Sequence, residues 1–295
     1  MSYLPTLLGL LTAFCWGTAD FLSRSQSRRV GHYKTTVYTH ITTFAMLVVI
    51  FLVLQQRPIL PLNAGLILLS AGVVNFFAFI FLYRSFQHGV VAVIAPIAYT
   101  YPAVTTVLAV VLLGTVLAPS TSFALAGIMI GVLLLAFRFS ELRKSTAGAG
   151  GSALTAGVGS AAVSAFSFGA VYVGVGYVTP MVGYVIPILI LRGVGSLVGF
   201  VIAPALHQSV RPSRECFSRT VLAIGVLEAI GFLSFNYGIS LRASSLPIVA
   251  ALSGMGGAFA AGYAMLLLRE RLERNQLLGI VLSIGGVFVL LYYGT

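Results

Sequence analysis

The stretch Thr12–Phe21, TAFCWGTADF, returns 152 residues later as Ser164–Val173, SAFSFGAVYV. Ala13/Ala165, Phe14/Phe166 and Gly17/Gly169 are identical, and Trp16/Phe168 are both aromatic. The same offset of 152 pairs Leu125–Ile128 with Leu277–Ile280, and His40 with Arg192. Near Asn75 and Glu228 the offset becomes 153, as one inserted loop residue would make it. Any single match between apolar segments is weak, because such segments share composition. A common offset in separate segments is far harder to reach by chance. It divides the chain into two related halves.

Composition says what kind of halves these are. Of 295 residues, 59% are hydrophobic and 8% charged, and the mean hydropathy is +1.03. Soluble domains are ~45–50% apolar and ~25% charged. A water-facing surface of this size needs far more charge. A soluble enzyme, a disordered chain and a collagen are excluded. The net charge of +11 does not point to nucleic acid. The cations stand singly or in short groups between apolar runs, as they do beside membrane helices.

A bilayer core of ~30 Å takes ~20 apolar residues as a helix. The apolar runs are continuous, whereas a barrel would show alternating segments of ~10 residues. The sequence predicts ten spans, at about 3–23, 36–55, 62–83, 90–113, 119–138, 153–176, 182–205, 220–240, 245–267 and 275–293. The fold class is therefore an all-α integral membrane protein of ten transmembrane helices. Residues 1–140 form one five-helix repeat, 141–152 a linker rich in Gly, Ala, Ser and basic residues, and 153–295 the second repeat. Five is odd, so the repeats lie in opposite orientations. Many secondary transporters are inverted repeats of this kind, with the substrate site between the halves near the midplane.

With those residues in view, the chain resembles the drug/metabolite transporter superfamily, in its EamA-type ten-helix members. The resemblance rests on AFCWGTADF in span 1 and on FQHGVVAVIAPIAYTYP leading into span 4. It rests also on ISLRASSLPIVAALSGMGGAF in span 9 and LLLRERLERNQLLGIVLSIGGV, Leu266–Val287. The first half has Gly114-Thr115 where the family often has Gly-Glu, and the second has Arg269-Glu270. The resemblance implies a transporter of amino acids or related metabolites, with both termini drawn inside. The charge pattern implies the reverse orientation. Fourteen Lys and Arg, among them Arg24, Arg84, Arg138, Arg211 and Arg274, fall in or beside the odd-numbered loops; only Arg57 and Arg242 fall in the even ones. The positive-inside rule then places the odd loops in the cytoplasm and both termini outside a plasma membrane.

Ionisable groups inside a bilayer cost at least ~2.5–3.5 kcal/mol each, which makes each a candidate for function. Arg192 lies in span 7, Glu228 in span 8, Asp20 near the end of span 1 and His40 near the start of span 2. Arg192 and Glu228 are opposite in sign on adjacent spans. They form either a structural ion pair or a substrate-carboxylate anchor beside a proton carrier. The resemblance favours the first, because family members often carry an arginine at this point.

Asn75, Phe79 and Tyr83 share one face of span 3; Glu228, Phe232 and Asn236 share the equivalent face of span 8. Such stripes either pack helices or line a cavity. Trp16 and Asp20 share a face of span 1, and Phe168 and Tyr172 that of span 6. Span 4 holds Pro96, Tyr99, Tyr101 and Pro102, span 7 Pro187 and span 9 Pro247, each a source of a kink. Ser253–Gly262, SGMGGAFAAG, permits close helix approach.

The expected substrate-binding set is Trp16, Asp20, His40, Asn75, Phe79, Tyr83, Tyr99, Phe168, Tyr172, Arg192, Glu228, Phe232 and Asn236. Glu228 and Asp20 are the coupling candidates. Aromatic stripes and a buried arginine suit an amphipathic or anionic solute. Cys15 and Cys216, and His32, His40, His88 and His207, show no disulfide or metal-ligand spacing, so no metal or cofactor is expected. No Gly-x-x-x-x-Gly-Lys-Ser/Thr loop and no catalytic constellation is present, which disfavours an ATP-driven pump and an enzyme. The expected function is a secondary transporter of small organic metabolites working by alternating access, as a monomer or homodimer. A lipid flippase of the same fold is the alternative.

Overall fold

The computed structural model describes residues 3–55, 60–88, 97–136, 151–242, 244–259, 262–263 and 273–293. Its helices are α1 (Leu4–Val30), α2 (His32–Leu54), α3 (Leu62–His88), α4 (Tyr101–Leu113), α5 (Pro119–Ala136), α6 (Gly151–Val182), α7 (Ile186–Val201), α8 (Arg219–Ser240), α9 (Ser245–Ser253) and α10 (Arg274–Tyr293). A 3-10 turn, Arg214–Phe217, precedes α8. There is no strand among the described residues. Most of the 141–152 linker, Pro96, the Arg269-Glu270 pair and the loop residues Arg57, Arg138, Arg143 and Lys144 lie outside the described residues.

The lengths depart from ten equal spans. Among the described residues, α1, α2, α3, α6, α8 and α10 are long and apolar enough to cross a bilayer, while α4, α5, α7 and α9 are apolar but shorter. Two of the short ones are interrupted. Residues 97–98 are helical, 99–100 form a turn, and α4 starts at Tyr101. In α9 the helix stops at Ser253, turns at 254–255 and resumes at 256–259. Pro102 and Pro187 stand in the first turns of α4 and α7, so they start helices instead of kinking them. The fixed φ of proline and its missing N–H suit that position. Pro247 is likewise near the start of α9, whereas Pro180 sits inside α6.

Helix α1 runs on past the expected end of span 1 to Val30, and α2 begins two residues later. The corner is Gly31 at φ +90°, a backbone conformation open mainly to glycine. Arg28 and Arg29 occupy the last turn of α1, where the helix dipole favours cations.

Packing fixes the directions. Leu8 meets Gly238, Thr12 meets Gly231 and Gln26 meets Glu215, so α1 and α8 are antiparallel. Thr42 meets Gly225 and Thr43 meets Glu228, so α2 and α8 are parallel. Tyr33 meets Gly199 and Phe44 meets Gly193, so α2 and α7 are antiparallel. Leu191 meets Gly72 and Gly199 meets Phe76, so α3 runs with α7. Ile67 meets Gly174 and Ala78 meets Ser164, so α6 opposes α3. It follows that α1 and α6, equivalent by sequence, run in opposite directions.

Contacts between the halves occur in exchanged pairs. The Thr12 hydroxyl donates to the Gly231 carbonyl at 3.2 Å, and its counterpart Ser164 donates to the Ala78 carbonyl at 2.9 Å. Gly17 packs against Gly256 as Gly169 packs against Val104; Gly225 packs against Thr42 as Gly72 packs against Val194. Where a helix meets its own counterpart, residues 152 apart touch: His40 and Arg192, Tyr101 and Ser253. Gly131 and Ser283 do the same between α5 and α10. These contacts mark a pseudo-twofold axis.

Away from the axis, α faces carrying Leu11, Val111, Phe123, Phe166, Leu197 and Phe288 are exposed. They suit lipid contact, which replaces water as the solvent of a membrane protein's outer surface. Inside, the hydroxyls of Thr12, Thr36, Thr42, Thr105 and Thr179 each donate to the carbonyl four residues back, so no hydroxyl among these goes unpaired.

Candidate functional site

Four polar side chains meet on the axis. Arg192, completely buried, places Nη2 2.9 Å from Glu228 Oε2. Its Nη1 lies 2.9 Å from Nε2 of His40, and His40 Nδ1 lies 2.9 Å from the Thr36 carbonyl oxygen. A guanidinium only donates, so Nε2 accepts and Nδ1–H donates to the carbonyl. Asn75, also fully buried, stands beside His40. His40 is the counterpart of Arg192 and Asn75 that of Glu228. The centre is thus one polar pair repeated, neutral in the first half and ionic in the second.

The guanidinium is closed in above and below. Its carbon lies 4.4 Å from the Phe79 ring centre and 4.5 Å from that of Phe232, two residues that are themselves counterparts. Such cation–π contacts contribute about 2 kcal/mol or more when desolvated. The carboxylate of Glu228 is filled too. Oε2 also accepts from Thr43 at 3.3 Å, and Oε1 accepts from the Tyr83 hydroxyl at 3.0 Å. Leaving either charge without its partner would cost several kcal/mol.

Beside this centre is a small, partly open cavity of about 40 Å³. Its walls are Trp16, Ala19 and Asp20 of α1, Phe79 and Leu82 of α3, Phe168 and Tyr172 of α6, Glu228 of α8, and Ala98, Tyr99 and Tyr101 at the α4 interruption. Interrupted helices at a repeat interface are where transporters of this architecture bind substrate. The break matters because it carries Tyr99 and Tyr101 to the cavity from one short segment. The Tyr99 hydroxyl donates to Asp20 Oδ2 at 2.9 Å, and Tyr101 shares a 2.9 Å hydrogen bond with Ser253 on the axis. No cation among the described residues pairs with Asp20.

Behind two of these walls the rings pack together: Trp16 stacks on Tyr172 at 5.6 Å and on Phe235 at 5.5 Å, and Tyr172 meets Phe235 at 4.9 Å. Phe235 is the repeat counterpart of the cavity residue Leu82.

Of the residues expected from sequence, Trp16, Asp20, Phe79, Tyr99, Phe168, Tyr172 and Glu228 line the cavity. His40, Tyr83, Arg192 and Phe232 bond or stack around Glu228 behind it, and Asn75 lies next to His40. Asn236 goes elsewhere: its amide donates to the Tyr184 carbonyl at 3.0 Å and ties α8 to the α6–α7 connection. The distance is built into the stripe, since eight residues advance a helix by about 12 Å. Arg192 is completely buried and does not line the cavity. Tyr101, Leu82, Ala98 and Thr43 were not expected. For Tyr101 a signal existed in the repeat offset, which maps it onto Ser253.

The EamA-like transporter family model matches this chain twice, at residues 4–137 and 155–292. A solved crystal structure of a protein superposes with a TM-score of 0.76 at 17% sequence identity, covering 97% of each chain. At that identity the likeness is one of fold. Comparison with curated proteins gave no match.

Proposed function

Since the chain belongs to the EamA-like transporter family, we propose that it is a secondary transporter that carries small organic solutes through the cavity between its two halves by alternating access. The observation that carries this reading is a cavity between the two inverted halves, lined from both of them by Asp20, Tyr99, Phe168 and Glu228. Two nearly equivalent halves can exchange packings about such a site, opening it to one side and then the other.

Ten membrane crossings follow from this reading, the interrupted α4 and α9 each completing one crossing with the residues around their breaks. The charge bias places the odd loops in the cytoplasm of a plasma membrane and both termini outside. Amino acids or related metabolites are the family-implied solutes. Asp20 is the favoured coupling group over Glu228, because Glu228 is held by Arg192, Thr43 and Tyr83 while Asp20 has one hydroxyl partner.

The test is uptake of a panel of labelled metabolites into proteoliposomes, with and without a pH gradient. Saturable uptake of at least one solute is expected. Flip of labelled lipid with no solute flux would replace this reading with the flippase alternative. A C-terminal reporter active only in the cytoplasm is expected to stay silent.

A further inference from the structure

We propose that the cavity takes an organic cation, a protonated amine on an apolar or aromatic body, with Asp20 as its counter-ion. The inference rests on the transporter reading and names the solute class of the same site. Two carboxylates face the cavity, and they differ in what already holds them. Both oxygens of Glu228 are occupied, one by Arg192 and Thr43 and one by Tyr83. Its charge is cancelled by a guanidinium that is wholly buried between Phe79 and Phe232. Asp20 accepts from Tyr99 through Oδ2 only and has no cationic partner among the described residues. Among the described residues Asp20 is therefore the one cavity carboxyl with no cation against it.

The remaining walls agree with that sign. Trp16, Tyr99, Tyr101, Phe168 and Tyr172 surround the acid with rings whose faces attract cations. Among the described residues a solute carboxylate would find no cation there, since Arg192 is held between Phe79 and Phe232 and does not line the cavity. An amino acid would bring an ammonium that fits and a carboxylate that does not. The corresponding amine brings only the part that fits. The geometry thus ranks the amine above the zwitterion, and the zwitterion above the acid.

The chain's only tryptophan, Trp16, is in the cavity wall, so its fluorescence reports on this site alone. The purified full-length chain is titrated with 2-phenylethylamine, phenylalanine and phenylacetate, which share one ring and differ in charge. Phenylethylamine is expected to change Trp16 emission saturably, phenylalanine to need roughly tenfold more, and phenylacetate to do nothing. Asp20→Asn keeps an oxygen for Tyr99 and is expected to weaken the amine by roughly tenfold or more, while Asp20→Glu retains it. No response to the amine, equal or tighter binding of phenylalanine or phenylacetate, or an amine affinity unchanged in Asp20→Asn would each overturn the proposal. The series on the native chain decides the matter even if the variant does not fold. Proteoliposome counterflow separates the two readings. Phenylalanine flux without amine flux sinks the cation and keeps the transporter; amine binding without any flux does the opposite.

Discussion

The two halves share a backbone plan and divide the chemistry unequally. At the axis the first half supplies His40 and Asn75, and the second half Arg192 and Glu228 in the same places. One turn away the positions reverse in character: the first half has the acid Asp20, and the second half has Tyr172. Symmetric backbones thus carry asymmetric side chains: an ionic pair from the second half on the axis, and beside it a carboxyl from the first half alone.

The comparison can be broken most severely at the ion pair. Arg192→Leu leaves Glu228 buried with no counter-charge and is expected to cost about 3–5 kcal/mol. Thermal unfolding of the purified protein in detergent measures it. The double variant Arg192→His with Glu228→Asn gives the second half the first half's residues. It should unfold at a higher temperature than Arg192→Leu, and a lower one would show that the neutral pair cannot serve both halves.

The next effect compares counterparts by what they touch. A methyl added at Gly17 meets the Gly256 backbone carbonyl, and one at Gly169 meets the Val104 side chain. The Val104 Cβ moves only with its own backbone, so neither neighbour can step aside freely. Gly17→Ala and Gly169→Ala are each expected to lose about 1–3 kcal/mol, by the same unfolding measurement.

Asp20 and Tyr172 sharpen the functional side. In proteoliposomes Asp20→Asn should lower gradient-driven flux by about tenfold, the size of a ~1.4 kcal/mol loss, and remove its response to a pH gradient. Tyr172→Phe should keep that response. Retention of it in Asp20→Asn would move the coupling role to Glu228. The smallest effect belongs to the axis hydrogen bond: Tyr101→Phe removes the contact with Ser253 and should cost about 0.6 kcal/mol, the average for a bond between membrane helices.

The repeat was legible because helices hold register. Residues 152 apart remain equivalent as long as the intervening helices and loops match in length, so Trp16/Phe168 and His40/Arg192 could be paired on paper. That His40 touches Arg192 was not legible, since equivalence says nothing about distance unless the residue lies on the axis. Helical spacing likewise put Glu228 and Asn236 on one face but could not say that they serve different levels of the membrane. The prolines of spans 4 and 7 proved to mark helix starts: span 4 is interrupted at 99–100 with Pro102 in the first turn that follows, and Pro187 stands in the first turn of α7.

The sequence by itself determined the membrane environment, the helical class, the duplication and the inventory of buried charge. Each of these depends on composition, period or offset, which are properties of the chain alone. The tertiary structure decided which carboxylate is neutralised, which aromatic rings stack and which residues line the cavity. Those outcomes depend on helices far apart in sequence meeting at a given height and angle, and only the packed molecule sets that.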